Sequence, residues 1–192
     1  SGLAGAGRTE LAQMLCGLDT PDGGRVYLNG KPVRIRDYRH ALQLGLVYIS
    51  EDRHKYSLVL PMALTDNITH KVLPSITNAL GIIDRAAQQE VTTQYMEQLD
   101  IKAPDGASIV NNLSGGNQQK VSVAKSLATT PQILILDEPT LGVDVGAKSE
   151  IHRIISNLAK NGKSIILISS DLPEILGMSD RVMIMKKGEK VG

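Results

Sequence analysis

The feature that most constrains the fold is an unbroken apolar run, Ile133–Leu136, that ends directly in two carboxylates, Asp137 and Glu138. Such a run is typical of a strand buried on both faces, as in a parallel sheet. Parallel α/β sheets bind their ligands at the carboxyl ends of strands, so both acids are predicted to lie at a ligand-binding edge. The alternative role for them is to cap a helix.

The sequence around this run alternates predicted strands with predicted helices. Apolar residues recur at helical spacing from Ala147 to Leu158, and Ile165–Ser169 is predicted to be the next buried strand. Leu46–Ile49 is predicted to be another buried strand and Arg181–Met185 the last one. This alternation predicts an α/β fold with a parallel sheet.

Two further parts are predicted from local patterns. Asn29-Gly30, with β-forming residues on both sides, predicts an antiparallel hairpin near the N-terminus. The pattern is helical over about 58–130, which predicts a helical subdomain inserted in the α/β core. The alternative is a further pair of helices that pack on the core. Asp84 is predicted to cap one of its helices. The apolar face of that helix is predicted to comprise Ala87, Val91, Tyr95 and Leu99.

The start of the chain matches the phosphate-loop spacing G-x-x-x-x-G-K-[ST] except at the lysine. The matching residues, with one further glycine inside the loop, are Gly2, Gly5, Gly7, Arg8 and Thr9. A helical pattern follows, as phosphate binding at a helix N-terminus requires. The guanidinium of Arg8 is wider than a lysine ammonium and would lie at a different place. Two functions of the loop are therefore possible, weak binding of ATP or ADP and a glycine-rich turn without a ligand. The strand expected before this loop lies outside the sequence, which suggests a piece of a longer protein.

A second candidate anion site lies in Leu113–Val121, with the sequence LSGGNQQKV. Ser114 can donate a hydrogen bond, and Gly115 and Gly116 allow close approach to the backbone directly before a predicted helix. The free N–H groups and the dipole of that helix favour an anion. Ser114 as an ordinary helix cap is the alternative.

LSGGNQQKV, with ILILDEP following at Ile133–Pro139, resembles the signature motif and catalytic strand of ATP-binding-cassette (ABC) ATPases. The resemblance covers residues 1–192 and implies one cassette with a phosphate-loop NTPase (RecA-like) core, an antiparallel hairpin and a helical subdomain. ATP and Mg²⁺ are the implied cofactors. In that family the signature closes over ATP held by a partner cassette. The residues that would do so here are Ser114, Gly115, Gly116 and Gln118.

The resemblance also implies roles around the two carboxylates. Thr9 and Asp137 would hold Mg²⁺, and Glu138 would polarise the water that attacks the γ-phosphate. Asp144, in the loop LGVD, matches the segment that contacts the partner cassette. Ser170 stands where the family usually has a histidine that contacts the γ-phosphate.

The family also places a glutamine after the strand Leu46–Ile49, and none is present. Ser50 or Glu51 could stand at that position, and the sequence does not choose between them. Asp171 and Glu174, three residues apart, have the spacing of a capping box and are predicted to be structural.

The departures from the family pattern at lysine, glutamine and histidine all affect the nucleotide site of the chain itself, whereas the signature is intact. This combination resembles the second cassette of tandem ATP-binding subunits in bacterial sugar importers of the ribose, galactose and arabinose type. It implies a second cassette, a membrane permease and, indirectly, a sugar-binding protein as partners, at the cytoplasmic face of the membrane.

The isolated chain is expected to hydrolyse ATP weakly. A soluble ABC ATPase of translation or DNA maintenance and a non-hydrolysing structural cassette are the alternatives.

Composition argues against a nucleic-acid partner. The chain carries 21 basic and 20 acidic residues, a formal charge of +1, no Trp, no Phe and five Tyr. It therefore lacks the basic excess and the stacking rings that nucleic acids require. The single cysteine, Cys16, excludes an internal disulfide and is typical of a reducing compartment.

Overall fold

The computed structural model describes residues 5–192, which form helices on and around a short parallel sheet. The α-helices are α1 (Arg8–Leu15), α2 (Tyr38–Gln43), α3 (Leu64–Thr69), α4 (Arg85–Gln98), α5 (Gly115–Leu127), α6 (Val145–Lys160) and α7 (Leu172–Met178). The strands are β1 (Val26–Leu28), β2 (Lys31–Val33), β3 (Leu46–Ile49), β4 (Ile133–Asp137), β5 (Ser164–Ile168), β6 (Met185–Lys186) and β7 (Glu189–Lys190). A π-helical turn spans Arg53–Ser57, and 3₁₀ turns span His70–Ser75 and Val110–Asn112.

The predicted parallel sheet is confirmed, with the strand order β3-β4-β5. In its register, Ile135 of β4 is opposite Tyr48 of β3 on one side and Ile166 of β5 on the other. Leu134, Ile135 and Leu136 are at most 1% exposed. The central strand is therefore buried on both faces, and its carboxyl end brings Asp137 to the sheet edge.

The predicted N-terminal hairpin is also confirmed. Strands β1 and β2 pair in an antiparallel register in which Leu28 is opposite Lys31. Asn29 and Gly30 both have positive φ, 52° and 75°. A two-residue turn with positive φ at both positions follows the twist of the strands, which explains the preference for Asn-Gly.

Two strand predictions are wrong in part. Segment Arg181–Met185 was predicted to be a strand, but the strand in this region begins only at Met185. A cleft of about 550 Å³ is lined by β5, by residues 179–183 and by Met185, so this segment does not pair with β5. The prediction of full burial for β5 also fails, since Ile166 is 42% exposed beside the same cleft.

The helices pack on the sheet through the faces that their patterns indicate. Helix α6 buries Ile151, Ile154, Ile155 and Leu158, as predicted. Asp84 caps α4, as predicted, by accepting hydrogen bonds from Ala86 N and Ala87 N. Tyr95 and Leu99 are buried and Val91 packs against the core, as predicted, and the buried face also includes Gln88 and Thr92. Polar groups can be buried there because they are hydrogen-bonded, as when Gln88 donates to Thr69 Oγ1 at 3.0 Å.

Helices α3, α4 and α5 contact one another within the range predicted to be a subdomain. Their shared core also includes residues of β3 and β4. The boundary at about 58–130 stays a prediction. Among the described residues, no helix is long and apolar enough to cross a membrane.

Candidate functional site

Asp137, at the carboxyl end of β4, is the centre of the candidate site. Thr9, at the start of α1, and Tyr48, in β3, both donate a hydrogen bond to its Oδ2 at 2.8 Å. Asp137 is 1% exposed, and its other oxygen, Oδ1, has no hydrogen-bond partner among the described residues. A buried carboxylate oxygen without a partner is costly, so the site favours a cation or a water that a cation holds.

These residues fit Mg²⁺. A threonine hydroxyl and a carboxylate are oxygen ligands of the kind that Mg²⁺ takes, and the ion usually completes its shell with water and phosphate oxygens. The residues from 5 onward contain no cluster of three or more His, Cys, Asp or Glu that could hold a metal ion alone. An ion at Thr9 and Asp137 would therefore complete its shell with water and with phosphate oxygens of a ligand.

Arg8 and Glu138 form an ion pair beside these residues. The Nη2 of Arg8 lies 3.5 Å from Oε1 of Glu138, and both side chains are 10% exposed. Glu138 adopts φ 46°, a left-handed conformation that is uncommon for a residue other than glycine. Its backbone N donates to Ile168 O at 2.9 Å, which fixes this turn to β5. The result is that a carboxylate suited to polarising water is paired with a cation.

The phosphate-loop residues that the structure describes form a turn before α1. Gly5 and Gly7 have positive φ, 74° and 89°, as a tight loop requires. A Cβ atom at Gly7 would lie 2.9 Å from the Cα of Gly188, in the turn between β6 and β7. Gly188 N also donates to Ala6 O at 2.9 Å. Gly2, the remaining predicted loop residue, lies outside the described residues.

Glu51, which follows β3, lies within electrostatic range of Asp137 and Glu138. Partial burial raises the pKa of Glu51, and the charges of Asp137 and Glu138 raise it further, while Arg8 lowers it. Ser50 is 7% exposed and hydrogen-bonds the hydroxyl of Tyr48. Glu51 is thus electrostatically coupled to the two carboxylates, whereas Ser50 is hydrogen-bonded to Tyr48.

Ser170 follows β5 and is exposed, and the structure gives no hydrogen bond to its side chain. The preceding Ser169 is fully buried and accepts a hydrogen bond from Asp171 N. Ser170 thus follows β5 at the same edge of the sheet at which β4 ends in Asp137.

The prediction of a capping box after Ser170 is only half confirmed. Asp171 caps α7 by accepting a hydrogen bond from Glu174 N at 3.3 Å. The Glu174 side chain does not return to the cap. Its Oε1 instead accepts from Thr140 at 2.9 Å and lies 2.6 Å from Nε2 of His152. Burial explains the difference, because Glu174 is 3% exposed and needs partners within the core.

The LSGGNQQKV segment forms the start of α5. Ser114 is the N-cap, and its Oγ accepts from Asn117 N at 3.3 Å. Ser114 itself is exposed, and a Cβ atom at Gly116 would lie 2.5 Å from the Cβ of Ala147 in α6. The second glycine therefore permits close packing of two helices. Gln118 is 7% exposed, with its amide bonded to His54 and to Val110 O.

Arg53 connects this segment to the loop before α6, a role that the sequence analysis missed. Its Nη1 and Nη2 donate to the carbonyl oxygens of Leu141 and Gly142 at 3.0 and 3.3 Å. A Cβ atom at Gly115 would lie 3.2 Å from the same Nη2. Asp144, the predicted contact residue in that loop, caps α6 through Ala147 N at 2.9 Å. No periodic pattern includes Arg53, and its role depends on the folded positions of two loops that are distant in sequence.

A parallel sheet with a glycine loop entering a helix, and with adjacent hydroxyl and carboxylate groups at its edge, defines a phosphate-loop nucleotide-binding protein. The family model described as "ABC transporter" matches residues 1–141. The chain belongs to the ABC transporter family, with the phosphate-loop NTPase fold.

Known relatives agree with this assignment. The chain is 48% identical to a ribose import ATP-binding protein, RbsA 3, of Rhizobium etli, over 100% of the chain and 37% of that protein. It is also 48% identical to the ribose import ATP-binding protein RbsA of Geobacillus kaustophilus, over 98% of the chain and 38% of that protein. The chain thus spans less than two fifths of the length of these relatives.

Solved structures with the same fold are ATP-binding cassettes. A nucleotide-free cassette from an ABC transporter superposes with a TM-score of 0.85 at 20% identity, over 100% of this chain and 77% of that chain. A dimeric cassette in a post-hydrolysis state, bound to ADP and phosphate, gives 0.80 at 20% identity, over 98% of this chain and 80% of that chain.

Proposed function

We propose that this chain is an ATP-binding cassette of a sugar importer whose own site hydrolyses ATP poorly and whose signature acts on a partner cassette. The observation that carries the proposal is the ion pair between Arg8 and Glu138, at 3.5 Å with both side chains nine-tenths buried. A carboxylate that is held in an ion pair with a fixed guanidinium is less available to orient and activate a water. The names of the relatives support ribose or a similar sugar as the cargo of the whole transporter.

ATP would bind at the phosphate loop with Mg²⁺ held by Thr9 and Asp137. The ion would neutralise charge on the phosphates. The chain itself would supply the backbone N–H groups at the start of α1, the guanidinium of Arg8 and, where the family has glutamine, the carboxylate of Glu51. Since Ser170 carries no positive charge, the site lacks the cation that a histidine can provide there.

The signature loop would serve a second nucleotide. Ser114 is exposed, and the atoms nearest to a Cβ built at Gly115 or Gly116 belong to Arg53, Gly142 and Ala147. An anion at the start of α5 would come from another cassette. We expect that cassette in the same full-length protein, with a membrane permease and, indirectly, a sugar-binding protein as further partners at the cytoplasmic face.

The test combines association and turnover. The intact protein should co-purify with a membrane permease, and vesicles that contain both should accumulate labelled ribose when ATP is supplied. The 192-residue chain alone should turn over ATP well below the roughly 1–100 s⁻¹ of phosphoryl-transfer enzymes. Turnover within that range would exclude a disabled site, and association with ribosomes or DNA instead of a permease would exclude the transport function.

A further inference from the structure

A second cavity, of about 470 Å³, lies between α1, β3 and α5, away from the phosphate-binding residues. We call it the lysine cavity. Its polar lining includes Lys71, Ser122, Lys125, Ser126 and Tyr38. None of Arg8, Thr9, Asp137 and Glu138 lines it. A cavity of this size is large enough for a small organic ligand.

Two lysines, Lys71 and Lys125, line this cavity, and no carboxylate in its described lining balances their charge. Lys71 Nζ donates to Tyr38 Oη at 2.9 Å and to Ser126 Oγ at 3.2 Å. Lys125 is 7% exposed, and its Nζ donates to Ser57 O at 2.8 Å. No Asp or Glu lines the cavity in the part of the chain that the structure describes. Ammonium groups withdrawn from water without a counter-charge are unfavourable, and an anion would remove that cost.

Ser122 supplies an independent indication of a ligand. It is 1% exposed and lies on the cavity wall, one helical turn before Ser126. Its hydroxyl has no hydrogen-bond partner among the described residues. A buried hydroxyl without a partner normally costs free energy, so a ligand oxygen at this position would be stabilising.

The charge state of the lysines is consistent with a missing anion. Burial lowers the pKa of Lys71 to about 7, and repulsion from Lys125 contributes to the shift. Burial also lowers the pKa of Lys125. The other titratable groups that act on Lys71 or respond to it are Cys16, Tyr38 and His70. None of them is a carboxylate that could take the place of an anion.

We propose that the lysine cavity is a binding site for a small phosphate-bearing anion, with phosphate oxygens between Lys71, Lys125 and Ser122. The cavity exceeds the volume of one phosphate group, so the ligand would carry a small organic part against Leu18 and Tyr56, which also line it. Tyr48 lines the same cavity and donates to Asp137 at 2.8 Å. A bound anion would therefore lie one side chain away from the candidate magnesium site. The proposal does not depend on sugar transport.

The test is a lysine-by-lysine acylation of the intact protein with acetic anhydride, with inorganic pyrophosphate as the probe and metal ions left out. Mass spectrometry reports the reactivity of each lysine. Pyrophosphate should protect Lys71 and Lys125 severalfold relative to sodium chloride at matched ionic strength. Exposed Lys31, in β2, should not be protected, because it lies outside the cavity.

Two variants assign the protection to the cavity. Ser122→Ala removes one hydrogen bond to a charged group and should raise the half-protecting concentration about tenfold. Lys125→Met should abolish the protection of Lys71. The control is Ser149→Ala, an exposed serine in α6, which should change neither value.

Three results would overturn the proposal. The first is no protection at about 10 mM pyrophosphate, since a useful site should have a Kd near 1 mM or below. The second is protection of Lys71 with an unchanged half-protecting concentration in both Ser122→Ala and Lys125→Met, which would place the anion at the phosphate loop. The third is protection by polyglutamate but not by pyrophosphate, which would identify the cavity as a contact for an acidic protein segment.

Discussion

At the scale of single residues, the candidate nucleotide site combines intact and disabled parts. Thr9 and Asp137 have the contact that a magnesium–nucleotide site needs, with one carboxylate oxygen left without a partner. Arg8, however, lies against Glu138, and its Nη1 is buried without a hydrogen bond in the described structure. An arginine in place of the lysine thus changes the phosphate loop. It also forms an ion pair with Glu138, the residue proposed to act as the base.

We expect Glu138→Gln to leave most transport activity in the full assembly. The carboxylate is already paired with Arg8, so removing its charge from a disabled site should change the rate little, because such effects are non-additive. The same change weakens a partly buried ion pair and should lower the free energy of unfolding by about 1 kcal/mol. Uptake of labelled sugar and chemical denaturation measure the two effects. Exposed Glu189→Gln is the control, and loss of uptake in Glu138→Gln alone would show an essential turnover at this site.

A second residue-scale prediction concerns Cys16, which is fully buried beside Ala12 and Tyr48. Burial raises the pKa of its thiol to about 12, although Lys71 opposes the shift. At pH 8 the thiolate should be scarcer than in a free cysteine by roughly a thousandfold, and alkylation should be slower by at least that factor. Because the thiol stays protonated, the native rate should rise about tenfold per pH unit between pH 7 and 9.

The measurement is iodoacetamide labelling of the peptide that contains Cys16, in buffer and in denaturant. Equal rates in the two conditions would contradict the burial and the raised pKa together. A slow native rate that is independent of pH would instead mean that local opening limits the reaction.

At the scale of elements, the sequence predicted what depends on short-range patterns. The parallel strands, the Asn29-Gly30 hairpin and the Asp84 cap are each encoded within a few residues. The failures depend on distant neighbours. The Glu174 side chain contacts His152, 22 residues earlier in the chain, instead of the predicted cap. Only the packing of α7 on α6 reveals that partner.

Two helix ends provide a matched test of such distant packing. Gly17 follows α1 with φ 66°, and Gly162 follows α6 with φ 82°, and each is hydrogen-bonded back to its helix. A Cβ atom at Gly17 would lie 2.7 Å from the backbone of Asp37, whereas at Gly162 it would meet nothing within 4 Å. Both replacements by alanine force a side chain into left-handed backbone, but only Gly17→Ala adds a clash with backbone.

We expect Gly162→Ala to reduce the free energy of unfolding by about 1–2 kcal/mol, the cost of a left-handed alanine. Gly17→Ala should cost about 1–3 kcal/mol more, because backbone atoms must move as they do in an overpacked core. Chemical denaturation of the two variants gives the difference directly. Equal losses would mean that the chain near Asp37 yields freely and that α1 and α2 are not rigidly packed.

At the scale of the whole molecule, the two segments expected to contact a nucleotide lie on different elements. One lies at the carboxyl edge of the sheet around Asp137, and the other at the exposed start of α5 around Ser114. Arg53 contacts the loop at 141–142 and lies beside Gly115, so the signature segment and the loop that precedes α6 are held together. The motifs alone predicted both sites. They could not predict the lysine cavity, because Lys71 and Lys125 are distant in sequence and share no motif.

The separation of the sites leads to the last prediction, that Ser114→Asp in the full assembly abolishes ATP hydrolysis without loss of stability. Aspartate is as good an N-cap as serine, so the hydrogen bond to Asn117 N and the helix α5 should be retained. The added charge would repel the phosphate of the partner's ATP, and the loss of one preorganised donor alone costs on the order of 3 kcal/mol, or roughly a hundredfold in rate.

Turnover and melting temperature are measured on the same preparation, with Thr93→Asp, exposed in α4, as a control of equal charge. Full turnover in a correctly assembled Ser114→Asp protein would show that this loop does not meet a nucleotide. A large fall in melting temperature would show instead that Ser114 is only a structural cap that aspartate cannot replace.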